Sequence, residues 1–184
     1  MGLLHFLRKL KLKEKEMRIL FLGIDNAGKS SVIKSFLGES IDNLSPTLGF
    51  EIKTIECDGY RLSCWDVGGQ STIRAYWKNY FEATDGVVWV VDSTDRERIS
   101  LCKKELDSIL QQERLANASL LVFANKQDIK DAMKAEEIRS KLDLDRIERR
   151  HWSIVPCSAS TRNGIENGIK WLVNDIGSRL FTHP

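Results

Sequence analysis

Short runs of consecutive apolar residues alternate along the chain with longer stretches whose apolar positions recur every three or four residues. Met17–Leu22 is the first strand-like run. Gly86–Val91 and Ser119–Ala124 are apolar throughout, the mark of strands covered on both faces. Trp152–Val155 is a weaker fourth. Between these runs, Val32, Ile33, Phe36 and Leu37 share one helical face. So do Ile99, Cys102, Leu106, Ile109 and Leu110, and later Ile165, Ile169, Leu172, Val173, Ile176 and Leu180. The span 50–65 breaks the alternation and reads as two strands joined at Asp58-Gly59, a hairpin turn signal. The expected fold is a three-layer α/β domain. Its sheet is six-stranded and mostly parallel, with one antiparallel edge hairpin strand and helices on both faces. Ligands of such sheets bind beyond the carboxyl ends of the strands.

Composition narrows the picture by exclusion. The 184 residues carry 28 Lys and Arg against 26 Asp and Glu, a net charge of +2, so there is no basic excess for nucleic acid. Cys57, Cys64, Cys102 and Cys157 have neither C-x-x-C nor zinc spacing and read as reduced, buried thiols of a cytosolic protein. No apolar run approaches the roughly 18 residues of a bilayer span, and no secretory signal pattern opens the chain. Without internal repeats or linkers, the chain divides into an arm, 1–16, and one domain, 17–184.

The strand ends carry the chemistry. The first strand runs into Gly23-Ile24-Asp25-Asn26-Ala27-Gly28-Lys29-Ser30, which is G-x-x-x-x-G-K-[ST] with a helical pattern directly after it. Glycines let the backbone wrap a phosphate while N–H groups at the helix start point inward. Lys29 can reach the β- and γ-phosphates, and the Ser30 hydroxyl can ligate Mg²⁺. Gly23, Asp25, Asn26, Ala27, Gly28, Lys29, Ser30 and Ser31 are therefore the candidate phosphate cradle. Asp66, just past the run ending at Trp65, can hold Mg²⁺ through water. Gly69, lacking a side chain, can bring its N–H close to a γ-phosphate. Gln70 can orient an attacking water, which with Lys29 completes the expected catalytic pair. Thr47 can offer its hydroxyl to Mg²⁺ and its N–H to the γ-phosphate, so the expected metal set is Ser30, Thr47 and Asp66.

Asn125-Lys126-Gln127-Asp128 follows another strand end. An ionised Asp128 only accepts hydrogen bonds, which suits the N1–H and N2–H₂ donors of guanine and leaves adenine mismatched. That mismatch costs roughly 1–3 kcal/mol or more. Lys126 can lay its stem over the base, while Ser158 and Ala159 are placed to meet the guanine O6 with a backbone N–H. An ATPase or nucleotide kinase is the competing enzyme, and Asp128 argues against it.

Taken together, these residues resemble the Ras-like GTPases, and within them the Arf and Arf-like branch. The resemblance covers essentially the whole chain, and Trp65-Asp66-Val67-Gly68-Gly69-Gln70 is its most specific piece. It implies a P-loop GTPase domain that cycles between GDP and GTP, hydrolyses GTP slowly, and relies on a GTPase-activating protein. Phe50, Trp65 and Tyr80 match the branch's aromatic trio between the switch segments, and the hairpin matches an interswitch that shifts register with the nucleotide. Met1-Gly2-Leu3-Leu4, the segment 45–50, His151-Trp152 and the segment 178–181 are similar to one Arf-like sub-branch. That likeness implies a cytoplasmic protein, with microtubule or centrosome association. It also implies GTP-dependent effectors, namely carriers of lipidated cargo and tubulin-folding cofactors. Two departures are Ile129-Lys130-Asp131, where the family often has Leu-Pro, and Ser71-Thr72-Ile73 after Gln70, a position that can contact partners. A GTP-dependent scaffold with negligible turnover and a membrane-recruiting Arf of vesicle traffic stay open as alternatives.

In the arm, Leu3, Leu4, Phe6, Leu7 and Leu10 fall on one helical face, with His5, Arg8 and Lys9 opposite and Lys11 and Lys13 flanking. Such a segment can lie in a membrane interface or in a groove of its own domain. Gly2 lacks the M-G-x-x-x-[ST] context, having Phe6 at the last position, and 181–184 has no C-a-a-X. The arm reads as a nucleotide-sensitive lever or partner-binding helix, with at most weak membrane contact through 3–10.

Overall fold

A computed structural model describes residues 2–181, apart from the side chains of Leu7, Arg8, Lys11, Leu12 and Lys13. The expectations placed on those five side chains and on 182–184 lie outside the described residues. Six strands form one sheet: β1 (Glu16–Leu22), β2 (Phe50–Cys57), β3 (Tyr60–Val67), β4 (Gly86–Asp92), β5 (Ser119–Asn125) and β6 (Trp152–Pro156). Their spatial order is β2-β3-β1-β4-β5-β6. All neighbours are parallel except β2 and β3, which pair antiparallel from Phe50↔Val67 to Cys57↔Tyr60. At the hairpin tip Asp58 and Gly59 have φ of 48° and 79°, the left-handed pair that a tight two-residue turn needs.

The continuous apolar runs are explained by which helices cover which face. Leu20, Leu22, Val87, Trp89, Leu120 and Val122 point to one side, under α4 (Ile99–Leu110) and α5 (Ala135–Lys141). The alternate residues Ile19, Phe21, Val88, Val90, Leu121 and Phe123 point to the other, under α2 (Lys29–Leu37) and α6 (Ile165–Leu180). Neither set retains more than 1% exposure, and each such side chain contributes about 1.5–3 kcal/mol on burial. Two-sided burial leaves β1, β4 and β5 no solvent face to encode. Their carboxyl ends are thereby fixed on one rim.

Some boundaries differ from the sequence reading. β3 runs on to Val67, so Asp66 is its penultimate residue and pairs with Glu51 and Phe21. A four-residue helix, α3 (Ser71–Arg74), follows Gln70, and α5 is an element the pattern did not announce. α5 buries only Ala135 and Ile138 of its seven residues, too few to set a period. Leu180, expected on the buried face of α6, is exposed at the end of that helix. All four cysteines are free and buried. Burial pushes the Cys64 thiol up to about 12 and Cys102 up to about 11, which makes both inert.

The arm folds as α1 (Leu3–Glu14). Leu3, Leu4, Phe6 and Leu10 are exposed, not seated in a groove of the domain. No described helix is long and apolar enough to cross a membrane.

Candidate nucleotide-binding site

The loop between β1 and α2 borders a cavity of about 260 Å³ at the carboxyl rim of the sheet. Asp25, Asn26, Gly28, Lys29, Ser30 and Ser31 line one side; Thr47, Gly69 and Gln70 line the other. Gly28 sits at φ 94°, and a Cβ there would lie 2.4 Å from the Asn125 amide nitrogen, so only glycine fits. Gly69 is held just as closely: a Cβ would meet Gly23 O at 2.4 Å and Lys29 Nζ at 2.6 Å. The buried Lys29 ammonium donates to Gly23 O at 3.0 Å and Ile24 O at 3.2 Å. Burial lowers its pKa to about 8, against a partial lift from Asp66 and Asp25. A cation so desolvated is poised to gain strongly from an arriving anion.

The three expected metal ligands converge from three segments. Ser30 Oγ lies 3.0 Å from Thr47 Oγ1, and Thr47 Oγ1 lies 3.3 Å from Asp66 Oδ2. Ser30 Oγ also donates to Asp66 Oδ2. Burial raises the Asp66 pKa, with Ser30, Lys29 and Thr47 pulling it back down. Its second oxygen, Oδ1, is buried with no hydrogen-bond partner. An orphaned carboxylate oxygen beside two hydroxyls is the hard-oxygen donor set that fits Mg²⁺. Among the described residues no cluster of three or more His, Cys, Asp or Glu could hold a metal on protein ligands alone, and a set completed by phosphates and water needs none.

At the base end, Asn125 Nδ2 donates to Ala27 O at 3.0 Å while its Oδ1 accepts from Ala159 N at 3.1 Å. Asn125 thus ties three loops together. Lys126 Nζ reaches Asn26 O at 2.8 Å and the Asp92 carboxylate at 2.6 Å. Ser158 Oγ donates to Asp128 Oδ1 at 2.6 Å and accepts from Thr161 N at 3.1 Å, fixing the acid expected to read the base. So Lys29, Ser30, Thr47, Asp66 and Gly69 gather at one end, and Asn125, Lys126, Asp128, Ser158 and Ala159 at the other.

The sequence reading missed two groups. Asp92 closes β4, and although burial alone would raise its carboxyl, Lys126 and Thr94 hold it below the usual range. It ends an apolar run in the same way as Asn125, so a reading of every strand end would have found it. Arg98, at the start of α4, donates to both the side chain and the backbone carbonyl of Asp25 at 3.0 Å. No local pattern announces that contact.

The sequence of residues 3–176 matches the ADP-ribosylation factor family. The chain belongs to that family. It is an Arf-like small GTPase, a guanine-nucleotide switch. It is 56% identical over 181 residues to ADP-ribosylation factor-like protein 2 of Dictyostelium discoideum, covering 98% of each chain. It is 54% identical to the protein of that name from Drosophila melanogaster, covering 99% of each. Its fold superposes on the Arl6 BBS3 small GTPase of Trypanosoma brucei, solved with the nucleotide analogue GppNp, at a TM-score of 0.82. That match is 26% identical and covers 90% of this chain and 99% of the other. The six-stranded, mostly parallel sheet with its antiparallel edge pair is the fold expected of an Arf-like GTPase. In this GTPase Phe50, Trp65 and Tyr80 form a contiguous trio, with Phe50 stacked on Trp65 at 5.2 Å and Tyr80 5.2 Å from Phe50. The Arg18 guanidinium lies 3.8 Å over the Trp65 ring and donates to Tyr80 O at 2.9 Å, supporting the trio from below.

Proposed function

We propose that this GTPase binds GDP and Mg²⁺·GTP with guanine selectivity and hydrolyses GTP slowly until an activating protein adds an arginine. Lys29 and the loop amides hold the phosphates, Gln70 orients the attacking water, and Asp128 reads the base. Ser30, Thr47 and Asp66 would hold Mg²⁺, which would supply charge neutralisation to the phosphates. An arginine supplied by a partner raises hydrolysis by about 10³–10⁵. The GTP form engages carriers of lipidated cargo and tubulin-folding cofactors in the cytoplasm, at microtubules or the centrosome. The observation that carries the nucleotide reading is the tie between the two motifs: Asn125 and Lys126, beside the Asp128–Ser158 pair, donate to the Ala27 and Asn26 carbonyls of the loop that lines the cavity with Lys29. The effector reading is supported by the relatives named ADP-ribosylation factor-like protein 2.

Base selectivity tests the first part. Asp128→Asn exchanges an acceptor for a donor, so affinity should move from guanine toward xanthine nucleotides, whose 2-oxo group accepts. Unchanged guanine preference in that variant refutes the assignment. The second part is tested by capture from cytosol on the GDP- and GTP-analogue-loaded chain. A competing reading, recruitment to membranes, rests on the exposed Leu3, Leu4 and Phe6 of α1. GTP-dependent flotation with liposomes, without soluble carriers, favours it.

A further inference from the structure

The inward aim of the phosphate-loop amides depends on what holds the carbonyls behind them. Three consecutive carbonyls, those of Asp25, Asn26 and Ala27, each accept from a side chain outside the loop. Lys126 and Asn125 hold the second and third, and both belong to the guanine motif. The first is held by Arg98, which belongs to no motif.

Arg98 does more than hold a carbonyl. Its Nη1 also binds the Asp25 carboxylate at 3.0 Å, and its Nε binds Asp95 at 2.6 Å. Asp95 also accepts from Arg98's own N–H at 3.2 Å, locking the arginine against the turn from which it springs. A planar fork engaging a carboxylate and a carbonyl of one residue fixes that peptide's orientation in a way a point charge cannot. It also neutralises a carboxylate that lines the phosphate cavity, where an unpaired negative charge would repel the ligand.

The geometry points to Arg98 as a positioning residue that sets how long the nucleotide is retained, acting through Asp25 and never touching the nucleotide. The idea rests on the guanine-nucleotide reading above. Release from Arg98→Ala is faster for both GDP and GTP. The factor is roughly ten- to a hundredfold, the span of one charge-assisted hydrogen bond. Selectivity for guanine over adenine is unchanged, because Asp128 and Ser158 lie at the far end.

The experiment follows release of a fluorescent GDP from the full chain into excess unlabelled GDP, for wild type, Arg98→Ala, Arg98→Lys and Asp25→Asn with Arg98→Ala. The ³¹P resonance of bound GDP is recorded alongside. Support takes the form of a graded series, with Arg98→Lys between wild type and Arg98→Ala. The β-phosphate resonance is displaced in Arg98→Ala. The Asp25→Asn double variant releases more slowly than Arg98→Ala alone, since the uncompensated charge is gone. Release within twofold of wild type in Arg98→Ala, or faster release with the β-phosphate resonance unmoved, overturns the inference. Should Arg98→Ala not fold, Arg98→Lys carries the test: release within twofold of wild type then overturns it. A wild-type chain that retains no GDP fails the parent reading instead, and is told apart at the first trace.

Discussion

The two ends of the cleft are built on opposite terms. Around the guanine motif the polar side chains are held by protein partners: Asn125 bridges Ala27 and Ala159, Lys126 bridges Asn26 and Asp92, and one oxygen of the exposed Asp128 accepts from Ser158. At the γ-phosphate end Asp66 Oδ1 and Arg74 Nε are buried without partners. Nearby, Leu48, Phe50 and Tyr76 are exposed at 82%, 47% and 61%. A buried polar atom left unmatched costs about 1–3 kcal/mol, and uncovered apolar area is a standing drive to be covered. The base end is therefore finished without its ligand, and the switch end is finished only by ligand and partner. On the function proposed above, this asymmetry would let one protein hold guanine constantly while changing shape with the third phosphate.

The largest test of that contrast is at Ser30. Ser30→Asn removes the hydroxyl that meets both Thr47 and Asp66 and puts a bulkier amide between them. Even outer-shell changes weaken metal sites by about 10–100-fold, so Mg²⁺-dependent retention of GTP should fall by more than about a hundredfold. GTP affinity measured with and without EDTA reads this out, and unchanged affinity would falsify the metal assignment. Next in size is Gln70→Leu, which lines the cavity opposite the phosphate loop. Losing the orientation of a reacting water costs up to about a hundredfold. Single-turnover hydrolysis should slow by that order while GDP affinity stays within a few-fold, and a wild-type rate would count against the role.

The same asymmetry governs what the sequence made legible. The phosphate loop, Asp66-Val67-Gly68-Gly69-Gln70 and Asn125-Lys126-Gln127-Asp128 are contiguous, each hung on an apolar run, so chain position predicted spatial position. The sheet could be read because two-sided burial writes itself as unbroken apolar runs in β4 and β5. Arg98 was hidden because its contact with Asp25 spans 73 residues and depends on where loops meet above the sheet, whereas Asp92 stood at the end of an apolar run and was legible there. α5 was hidden because a helix burying two of seven residues writes no period. The exposure of α1 was not readable either, since an amphipathic pattern is the same whether or not its apolar face is covered.

A third test uses the lowered pKa of Lys29, about 8 against an ordinary 10.5. Bound phosphates favour the charged ammonium, so they bind best where Lys29 is already protonated. As pH rises past 8 the free protein loses that proton and binding must restore it. GDP affinity should drop about tenfold by pH 9. Lys29→Arg keeps its proton throughout and should show a flat profile. Stability of the nucleotide-free chain moves the other way. Between about 8 and 10.5 the unfolded chain binds more protons than the folded one, so stability rises with pH through that window. Falling affinity beside rising stability separates this lysine from a general loss of structure, which would lower both.

The smallest effect, that of Phe50→Ala, separates the two ends most cleanly when set beside a core substitution. Phe123 is fully buried in β5, two residues before Asn125, while Phe50 is half exposed on the edge strand. Phe123→Ala opens a cavity in a core that cannot close over it and should cost about 3–5 kcal/mol. Phe50→Ala loses mainly its stacking on Trp65 at 5.2 Å and should cost about 0.5–1.5 kcal/mol. Urea midpoints on the nucleotide-loaded chains measure both. The stability change at Phe50 is small, but that ring is part of the uncovered surface that a partner of the GTP form would bury. Capture of soluble partners by the GTP-analogue form should therefore fall in Phe50→Ala while guanine affinity holds. If Phe50→Ala instead unfolds as readily as Phe123→Ala, the aromatic trio is core and the contrast between a finished and an unfinished end does not stand.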